Sequence, residues 1–260
     1  MYKSIQYIMQ ILKEMTQQGS VFTEFSPNLF DAIQNPIDKQ VVELDGKQII
    51  LLHNVFTENE CDRIIKQSEL CGFESISHIY EENYRNNLRI MVDDTFFTNT
   101  WYRRMEHSLS EILDTSEFTP LNIKNSTKCG MCSMATLPIN QLETHTKCAN
   151  SNVYRGICMN PRLRICKYNR NGIFAPHYDS PVRHNGLQSI YTVMAYLNDV
   201  PAGQGGATRF FSEIEPDSPP IYVNPKKGSV VIFIHNIAHD GERLRGDAKY
   251  IMRSDIMIKI

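Results

Sequence analysis

The sequence predicts a mainly β protein with supporting helices, an α+β chain whose core is an antiparallel barrel or jelly roll. From residue 162 onward, the chain consists of short β-rich runs with no helical pattern between them. Turn signals such as Asn171-Gly172 and the run "AGQGG" separate these runs. The helical patterns fall in the first half of the chain, so helices are expected to support the sheets rather than alternate with strands.

The chain divides into an N-terminal helical extension, residues 1–40, and a body, residues 41–260. An amphipathic helix is predicted over residues 1–16, because its apolar side chains recur at helical spacing. These side chains are Ile5, Ile8, Met9, Leu12 and Met15. The simpler interpretation is that this helix packs on the body, and the alternative is a helix that binds a partner or directs targeting.

Two helices are predicted in the first half of the body, after the strand-like run "KQIILLHNVF". Thr57 and Glu60 have the spacing of a capping box, and the helix that they begin is expected to end near Gly72. The second helix is predicted around residues 96–114. The strands of the second half are the runs "LRICKYN", "SIYTVMAYLND", "ATRFF", "IYVN", "GSVVIFIH" and "KYIMRSDIMIKI".

Composition excludes several classes of function. The chain has 260 residues and a net charge of −2, which argues against a general nucleic-acid or membrane-surface binder. No apolar run approaches the roughly 18 residues of a membrane span, and no signal peptide is recognisable. We therefore expect a cytoplasmic protein whose seven cysteines are reduced.

His177 and Asp179 are the strongest candidates for metal ligands, because alternate residues of a strand point to the same face. The third ligand is expected from a distant strand, with His184, His235 and His239 as candidates. Two imidazoles and one carboxylate form the triad typical of non-haem Fe(II) oxygenases. Lys249, ten residues after His239, could pair with the far carboxylate of a dicarboxylic co-substrate. The alternative for an isolated His-x-Asp is a structural role.

The region from about residue 161 to 260 resembles the Fe(II)/2-oxoglutarate-dependent dioxygenases of the prolyl 4-hydroxylase type. The resemblance rests on "NPRLRICKYNRNGIFAPHYDS", "YTVMAYLND", "GGATRFF", "PKKGSVVIF" and "HDGERLRGDAKYIMRSDIM", in that order. The upstream run "LLHNVFTENECDRII" is also similar to the start of that family's domain. The resemblance implies a double-stranded β-helix, the jelly-roll core, with helices on one side.

The resemblance also implies the roles of individual residues. His177, Asp179 and His239 would bind Fe(II), and Lys249 would form a salt bridge to the C5 carboxylate of 2-oxoglutarate. Arg253 is a rival to Lys249, because it lies on the same strand face, and the family spacing favours Lys249. The implied co-substrate pocket also includes Tyr168, Tyr196 and Thr208, for which ordinary core filling is the alternative. Phe174 and Tyr178 are expected in the wall near the site.

The implied activity is a hydroxylation that consumes O2 and 2-oxoglutarate, with ascorbate as a helper. The substrate implied most directly is a prolyl residue in a peptide or protein. The alternatives are another side chain or a small molecule, or a catalytically silent barrel that acts as a binding module. Tyr84, Arg85 and Arg89 lie where such enzymes carry a mobile substrate-covering loop, and the alternative for them is a solvated connector.

Residues 115–160 read as a cysteine-rich insertion. The order Cys-x2-Cys followed by His-x2-Cys allows a tetrahedral structural zinc site, and the alternative is a polar loop with free thiols. The four candidate zinc ligands are Cys129, Cys132, His145 and Cys148.

Overall fold

A computed structural model of the protein describes residues 21–22, 25, 29–32, 35–109, 156–184 and 187–259. The larger sheet contains, in spatial order, β1 (Val21–Phe22), β5 (Leu88–Asp93), β7 (Arg162–Asn169), β15 (Ala248–Lys259), β10 (Leu187–Tyr196), β13 (Val230–Ile234), β3 (Lys47–His53) and β2 (Asp38–Leu44). Three short strands extend this sheet, β4 (Glu74–Ser75) on β5, β6 (Gly156–Met159) on β15 and β9 (Arg183–His184) on β10.

The smaller sheet contains β12 (Ile221–Val223), β11 (Thr208–Phe210), β14 (His239–Gly241) and β8 (Phe174–His177), in that spatial order. Among the described strands, only the β1–β5 pair is parallel. The predicted mainly β fold with a jelly-roll core is confirmed.

The two sheets enclose an apolar interior to which both contribute. Tyr168, Met194 and Phe233 come from the larger sheet, and Phe210 and Val223 come from the smaller one. Because side chains alternate between the faces of a strand, only one face of each strand contributes to this interior. The opposite face of the larger sheet is left for the helices.

Two helices cover that face, α1 (Glu58–Cys71) and α2 (Thr95–Leu109), and both were predicted. The capping box at the start of α1 is present, because the Thr57 side chain accepts from the Glu60 amide and the Glu60 carboxylate accepts from the Thr57 amide. Glu60 also forms a buried ion pair with Arg104 of α2, with 2.7 Å between the charged atoms. Trp101 and Phe97 of α2 are buried in the helix-side core. One carboxylate therefore caps the first helix and attaches it to the second.

The predicted boundary at residue 41 falls inside β2. Part of the predicted extension belongs to the fold, since β1 pairs with β5 and Phe25 and Leu29 are buried in the helix-side core. Burial of these two side chains attaches this part of the predicted extension to the domain. The helix predicted for residues 1–16 lies outside the described residues.

Three further predictions are corrected or left open. The segment interpreted as a mobile loop includes β5, whose backbone pairs with β7 from Leu88 to Asp93, so Arg89 is a strand residue. The end of the predicted insertion is also a strand, β6, which pairs with β15. The four candidate zinc ligands lie in residues 110–155, outside the described residues. No helix in the described part of the chain is long and apolar enough to cross a membrane.

Candidate metal and co-substrate site

Strand pairing brings the two histidines together across the smaller sheet. His177 is the last residue of β8, and His239, the first residue of β14, is its direct partner in the antiparallel register. Two residues later, the Asp179 amide donates to the His235 carbonyl at 3.1 Å, which holds the chain beside the end of β13. Potential ligand atoms of His177, Asp179 and His239 all lie within 4.8 Å of one another. Of the three candidates for the distal ligand, the fold therefore selects His239.

Both imidazoles are oriented by carbonyl groups two residues earlier in the chain. His177 Nδ1 lies 2.8 Å from the Ala175 carbonyl oxygen, and His239 Nδ1 lies 3.0 Å from that of Ile237. With Nδ1 as the donor, each Nε2 keeps its lone pair, and each Nε2 lies 3.7 Å from a carboxylate oxygen of Asp179. The buried His177 Nε2 has no hydrogen-bond partner in the structure. This donor set fits a divalent metal ion. In metal-binding histidines, one ring nitrogen typically binds the metal while the other donates a hydrogen bond to a group such as a backbone carbonyl.

Burial and the surrounding charges favour the ligand form of all three groups. Burial, reinforced by His239, lowers the pKa of His177 to about 3, and burial also lowers the pKa of His239. Burial alone would raise the pKa of Asp179, but the Arg253 guanidinium and the two imidazoles outweigh it and lower that pKa overall. At neutral pH the site therefore presents two neutral imidazoles and one carboxylate, the protonation states that metal binding requires.

A buried polar network orients the Asp179 carboxylate. Thr192 donates to one of its oxygens, and Arg253 Nη1 donates to the other at 2.7 Å. Behind Arg253, the carboxylate of Asp255 lies 3.3 Å from Arg253 Nη2 and accepts from Arg164 Nη1 at 3.1 Å. The carboxylate therefore has little rotational freedom, which is the condition for a ligand to be held in a set geometry.

Lys249 lines the same cavity as the triad, and its side chain is almost completely enclosed. It is 4% exposed, and its ammonium donates to the Gly206 carbonyl at 2.6 Å. The ammonium also lies 5.3 Å from the centre of the Tyr168 ring. Burial lowers the pKa of Lys249 to about 8, against the raising effect of Asp240. No carboxylate in the described part of the chain pairs with Lys249, so its charge is available to an anion in the cavity.

Arg253 does not compete with Lys249 for the same position. Arg253 lies four residues after Lys249 on the same face of β15. Its guanidinium donates to the carboxylates of Asp179 and Asp255. Their shared face of β15 made both cations candidate partners of a dicarboxylate, and the family spacing favoured Lys249. The ion pair with Asp179 instead makes Arg253 part of the support of this candidate metal ligand.

The other predicted pocket residues divide into lining and backing residues. Tyr168 and Thr208 line the cavity, whereas Tyr196 is fully buried behind it and donates its hydroxyl to Thr208 at 2.7 Å. Phe174 lines the cavity and stacks on the His177 ring with 3.6 Å between ring centres. The Tyr178 side chain points outward, is 52% exposed and donates to Glu213, so its predicted place in the wall is wrong.

The structure adds Thr192 and Cys166 to the cavity lining and shows Arg85 buried there. Thr192 was not predicted from the sequence. The signal was present, because Thr192, Met194 and Tyr196 occupy alternate positions of β10 and therefore share one face. Nothing in the sequence distinguishes Cys166 from an ordinary core thiol. His235 is buried next to Asp255, with 3.5 Å between Nε2 and the carboxylate, and is not in the triad.

Comparison with known proteins identifies the region that carries this site. Residues 163–254 match the family model described as the 2OG-Fe(II) oxygenase superfamily, and this range includes the triad and Lys249. A search of curated protein sequences finds no match.

Several solved structures are similar in fold at low sequence identity. The viral collagen prolyl hydroxylase of Paramecium bursaria Chlorella virus-1 is 14% identical with a TM-score of 0.50, and the match covers 84% of this chain and 99% of that one. A prolyl-4-hydroxylase of Pseudomonas putida is 11% identical with a TM-score of 0.51, over 82% of this chain and 93% of that one. A prolyl hydroxylase of Trichoplax adhaerens, solved with a hypoxia-inducible-factor peptide, is 11% identical with a TM-score of 0.51, over 80% of this chain and 82% of that one. Residues 163–254 therefore match the 2OG-Fe(II) oxygenase superfamily, and the chain is similar in fold to prolyl hydroxylases.

Proposed function

We propose that the protein is an Fe(II)- and 2-oxoglutarate-dependent dioxygenase that hydroxylates an unactivated C–H bond. The observation that carries the proposal is the pairing of two features in one cavity. One is the triad of His177, Asp179 and His239 with both Nε2 atoms turned to the carboxylate. The other is the buried Lys249, whose charge no described carboxylate neutralises.

The triad would hold Fe(II) through both Nε2 atoms and one oxygen of Asp179, leaving coordination positions for 2-oxoglutarate and O2. Bound iron would supply the coupling of O2 reduction to the oxidative decarboxylation of 2-oxoglutarate. In the balanced reaction, one oxygen atom enters succinate, the other enters the product alcohol, and CO2 is released. Arg253 and Thr192 keep the Asp179 carboxylate turned towards the two imidazoles.

Lys249 would bind the C5 carboxylate of 2-oxoglutarate. A dianion next to the ammonium raises the lysine pKa again, because an opposite charge favours the charged form. The hydroxyl groups of Tyr168 and Thr208 line the same cavity and would add hydrogen bonds to that carboxylate. Burial of this end of the cavity excludes water, which strengthens each of these contacts.

For the substrate, we propose a prolyl residue in a peptide or protein, with ascorbate as the reductant that sustains turnover. The support is the likeness in fold to prolyl hydroxylases, one of them solved with a peptide, and this support is fold-level analogy. The catalytic unit would comprise β2 to β15 together with the β1 segment that pairs with β5.

The proposal is tested with anaerobically purified protein, Fe(II), ascorbate, 2-oxoglutarate and a panel of proline-containing peptides. We expect succinate and a peptide product heavier by one oxygen atom. His177→Ala should abolish both products, and Lys249→Met should raise the KM for 2-oxoglutarate at least tenfold. Arg170→Gln is the matched control, because Arg170 forms only an exposed ion pair with Asp247.

The outcomes separate the alternatives. Succinate without a modified peptide would indicate an oxygenase that acts on another side chain or a small molecule. Absence of succinate, with iron bound in stoichiometric amount, would refute the proposed activity and favour a binding module. Iron bound equally by the parent and by His177→Ala would refute the assignment of the triad.

A further inference from the structure

We propose that Arg85 binds a carboxylate of the molecule that is hydroxylated, so that the enzyme selects substrates with a carboxylate close to the reacting carbon. The inference rests on the proposed function, because it takes Lys249 as the partner of 2-oxoglutarate. It concerns the second unpaired cation of the same cavity and therefore the class of substrate.

The backbone around Arg85 is attached to the strand that carries His177. Arg85 forms an isolated antiparallel bridge with Phe174, and the Ala175 amide donates to the Tyr84 carbonyl at 2.8 Å. The Asn86 side chain accepts from the Ile173 amide at 2.8 Å. Arg85 is thus held beside β8 and at the edge of the metal site by several independent hydrogen bonds.

The Arg85 side chain lies flat on an aromatic stack that ends at the metal ligand. Its guanidinium carbon is 4.1 Å from the centre of the Phe174 ring, and that ring stacks on the His177 imidazole at 3.6 Å. Arg85 is 9% exposed and lines the same cavity as the triad. The Phe174 ring therefore separates the guanidinium from the His177 imidazole, and a group bound to Arg85 would lie in the same cavity as the triad.

The polar groups that contact the Arg85 guanidinium are neutral. Its Nε donates to the Asn87 side-chain oxygen at 2.6 Å, and its Nη2 lies 3.8 Å from the Cys166 sulfur. The nearby Tyr168 is also neutral, because burial raises its pKa well above the usual value, against the lowering effect of Arg85. No carboxylate of the described residues pairs with the guanidinium.

The four cations that line the cavity divide into two classes. Arg164 is paired with Asp255, and Arg253 is paired with Asp179 and Asp255. Lys249 and Arg85 have no such partner among the described residues. A buried charge without a counter-ion is unfavourable, so a ligand that supplies the counter-ion gains binding free energy at that position. Once 2-oxoglutarate neutralises Lys249, Arg85 remains as the anion site of the cavity.

The chemistry of the guanidinium points to a carboxylate rather than to a neutral carbonyl. A planar fork of N–H donors matches a carboxylate in bidentate geometry, and such charged hydrogen bonds are stronger than neutral ones. The carboxylate could come from an acidic side chain next to the hydroxylated residue or from the α-carboxylate of that residue itself. Both sources present the same group to Arg85, and the choice of probes separates them.

The test measures binding as well as turnover. Isothermal titration calorimetry is performed without oxygen on the protein loaded with Mn(II) and saturating 2-oxoglutarate. The probes are an uncharged, end-blocked proline pentapeptide, the same peptide with Asp after the proline, a shorter peptide ending in proline as the free acid, and its amide. We expect one of the two carboxylate probes to bind about 10- to 100-fold more tightly than its neutral match, as expected for a charged hydrogen bond.

Substitution of Arg85 assigns this preference to the residue. In Arg85→Gln, the dissociation constants of the carboxylate probe and its neutral match should become nearly equal. Arg85→Lys should keep part of the preference for the carboxylate probe. Arg170→Gln, which removes an exposed charge far from the cavity lining, should retain the full preference. Calorimetric binding of 2-oxoglutarate to each variant verifies that the site is folded.

Three results would overturn the inference. The first is equal binding of carboxylate and neutral probes, or no binding of any probe, by the parent protein. The second is a preference that survives in Arg85→Gln. The third is a loss of 2-oxoglutarate affinity of tenfold or more in Arg85→Gln with the probe preference unchanged, which would place Arg85 on the co-substrate. Carboxylate-selective binding without hydroxylation of proline would support the inference and refute the prolyl substrate.

Discussion

Replacing Arg253 with Met tests the network that holds the Asp179 carboxylate. The Arg253 side chain is 18% exposed, and its partners Asp179 and Asp255 are 4% and 1% exposed. Removing one partner of a buried ion pair destabilises a protein by about 3–5 kcal/mol, because the remaining charge is left uncompensated. Asp255 keeps its ion pair with Arg164. We therefore expect the free energy of unfolding to fall by about 3 kcal/mol, the lower limit of this range.

The pH dependence of this loss has a defined sign. Burial raises the pKa of Asp179 and Asp255, but Arg253 and their other polar contacts outweigh it, so both pKa values lie below the usual 3.8. A carboxyl group with a lowered folded-state pKa stabilises the protein above the unfolded pKa and loses this contribution as pH falls through the folded value. The difference in the free energy of unfolding between the parent and Arg253→Met should therefore have its full size at pH 7 and decrease below about pH 4.

The difference in the free energy of unfolding is measured by urea unfolding in the presence of a chelator. The signal is the fluorescence of Trp101, the single tryptophan. A loss of 3 kcal/mol corresponds to a midpoint shift of about 1 M or more at the slope typical of urea. The control is Arg170→Met, which removes an ion pair whose side chains are 65% and 96% exposed. It should stay within about 0.5 kcal/mol of the parent. A loss below 1 kcal/mol for Arg253→Met, or one independent of pH, would refute this reasoning.

Three further predictions use the same urea assay. Gly228→Ala should destabilise by more than about 2 kcal/mol, because φ is 78° and a Cβ would clash with the Phe56 carbonyl oxygen. Gly203→Ala has a similar φ of 79° in open space and should lose only about 1 kcal/mol; equal losses would contradict the clash. Thr57→Ala should lose about 1 kcal/mol with the capping box, whereas Thr57→Ser should restore most of it. His177→Asn should flatten the rise of stability with pH between about 3 and 6.5, since the buried imidazole stays neutral while the unfolded one binds a proton; an unchanged slope would contradict this.

Local patterns were sufficient for the elements whose formation depends on neighbouring residues. Thr57 and Glu60 predicted the start of α1, because capping is decided within four residues. Alternation along the chain predicted that His177 and Asp179 share a side of one strand. The strand β8 ends at His177, so Asp179 lies beyond it, but the structure brings their ligand atoms together. These predictions required no knowledge of what the strands pair with.

Long-range pairing decided what local patterns could not. Arg253 and Lys249 lie on the same face of β15, and only the position of Asp179, two residues beyond the end of β8, gives Arg253 its ion pair. Likewise, Tyr196 and Thr208 were predicted as equal contacts of the co-substrate. The packing of the two sheets leaves Thr208 on the cavity wall and Tyr196 behind it.

The sequence by itself determined the mainly β class, the two helices and the set of side chains able to bind a metal. These follow from periodicity, capping and the ligand chemistry of His and Asp, which are properties of short segments. The tertiary structure alone decided that His239 lies opposite His177, which cation supports Asp179 and that Arg85 is buried over Phe174 without a described carboxylate partner. Those facts depend on strand register and on burial between sheets, where residues separated by 60 to 90 positions in the chain come into contact.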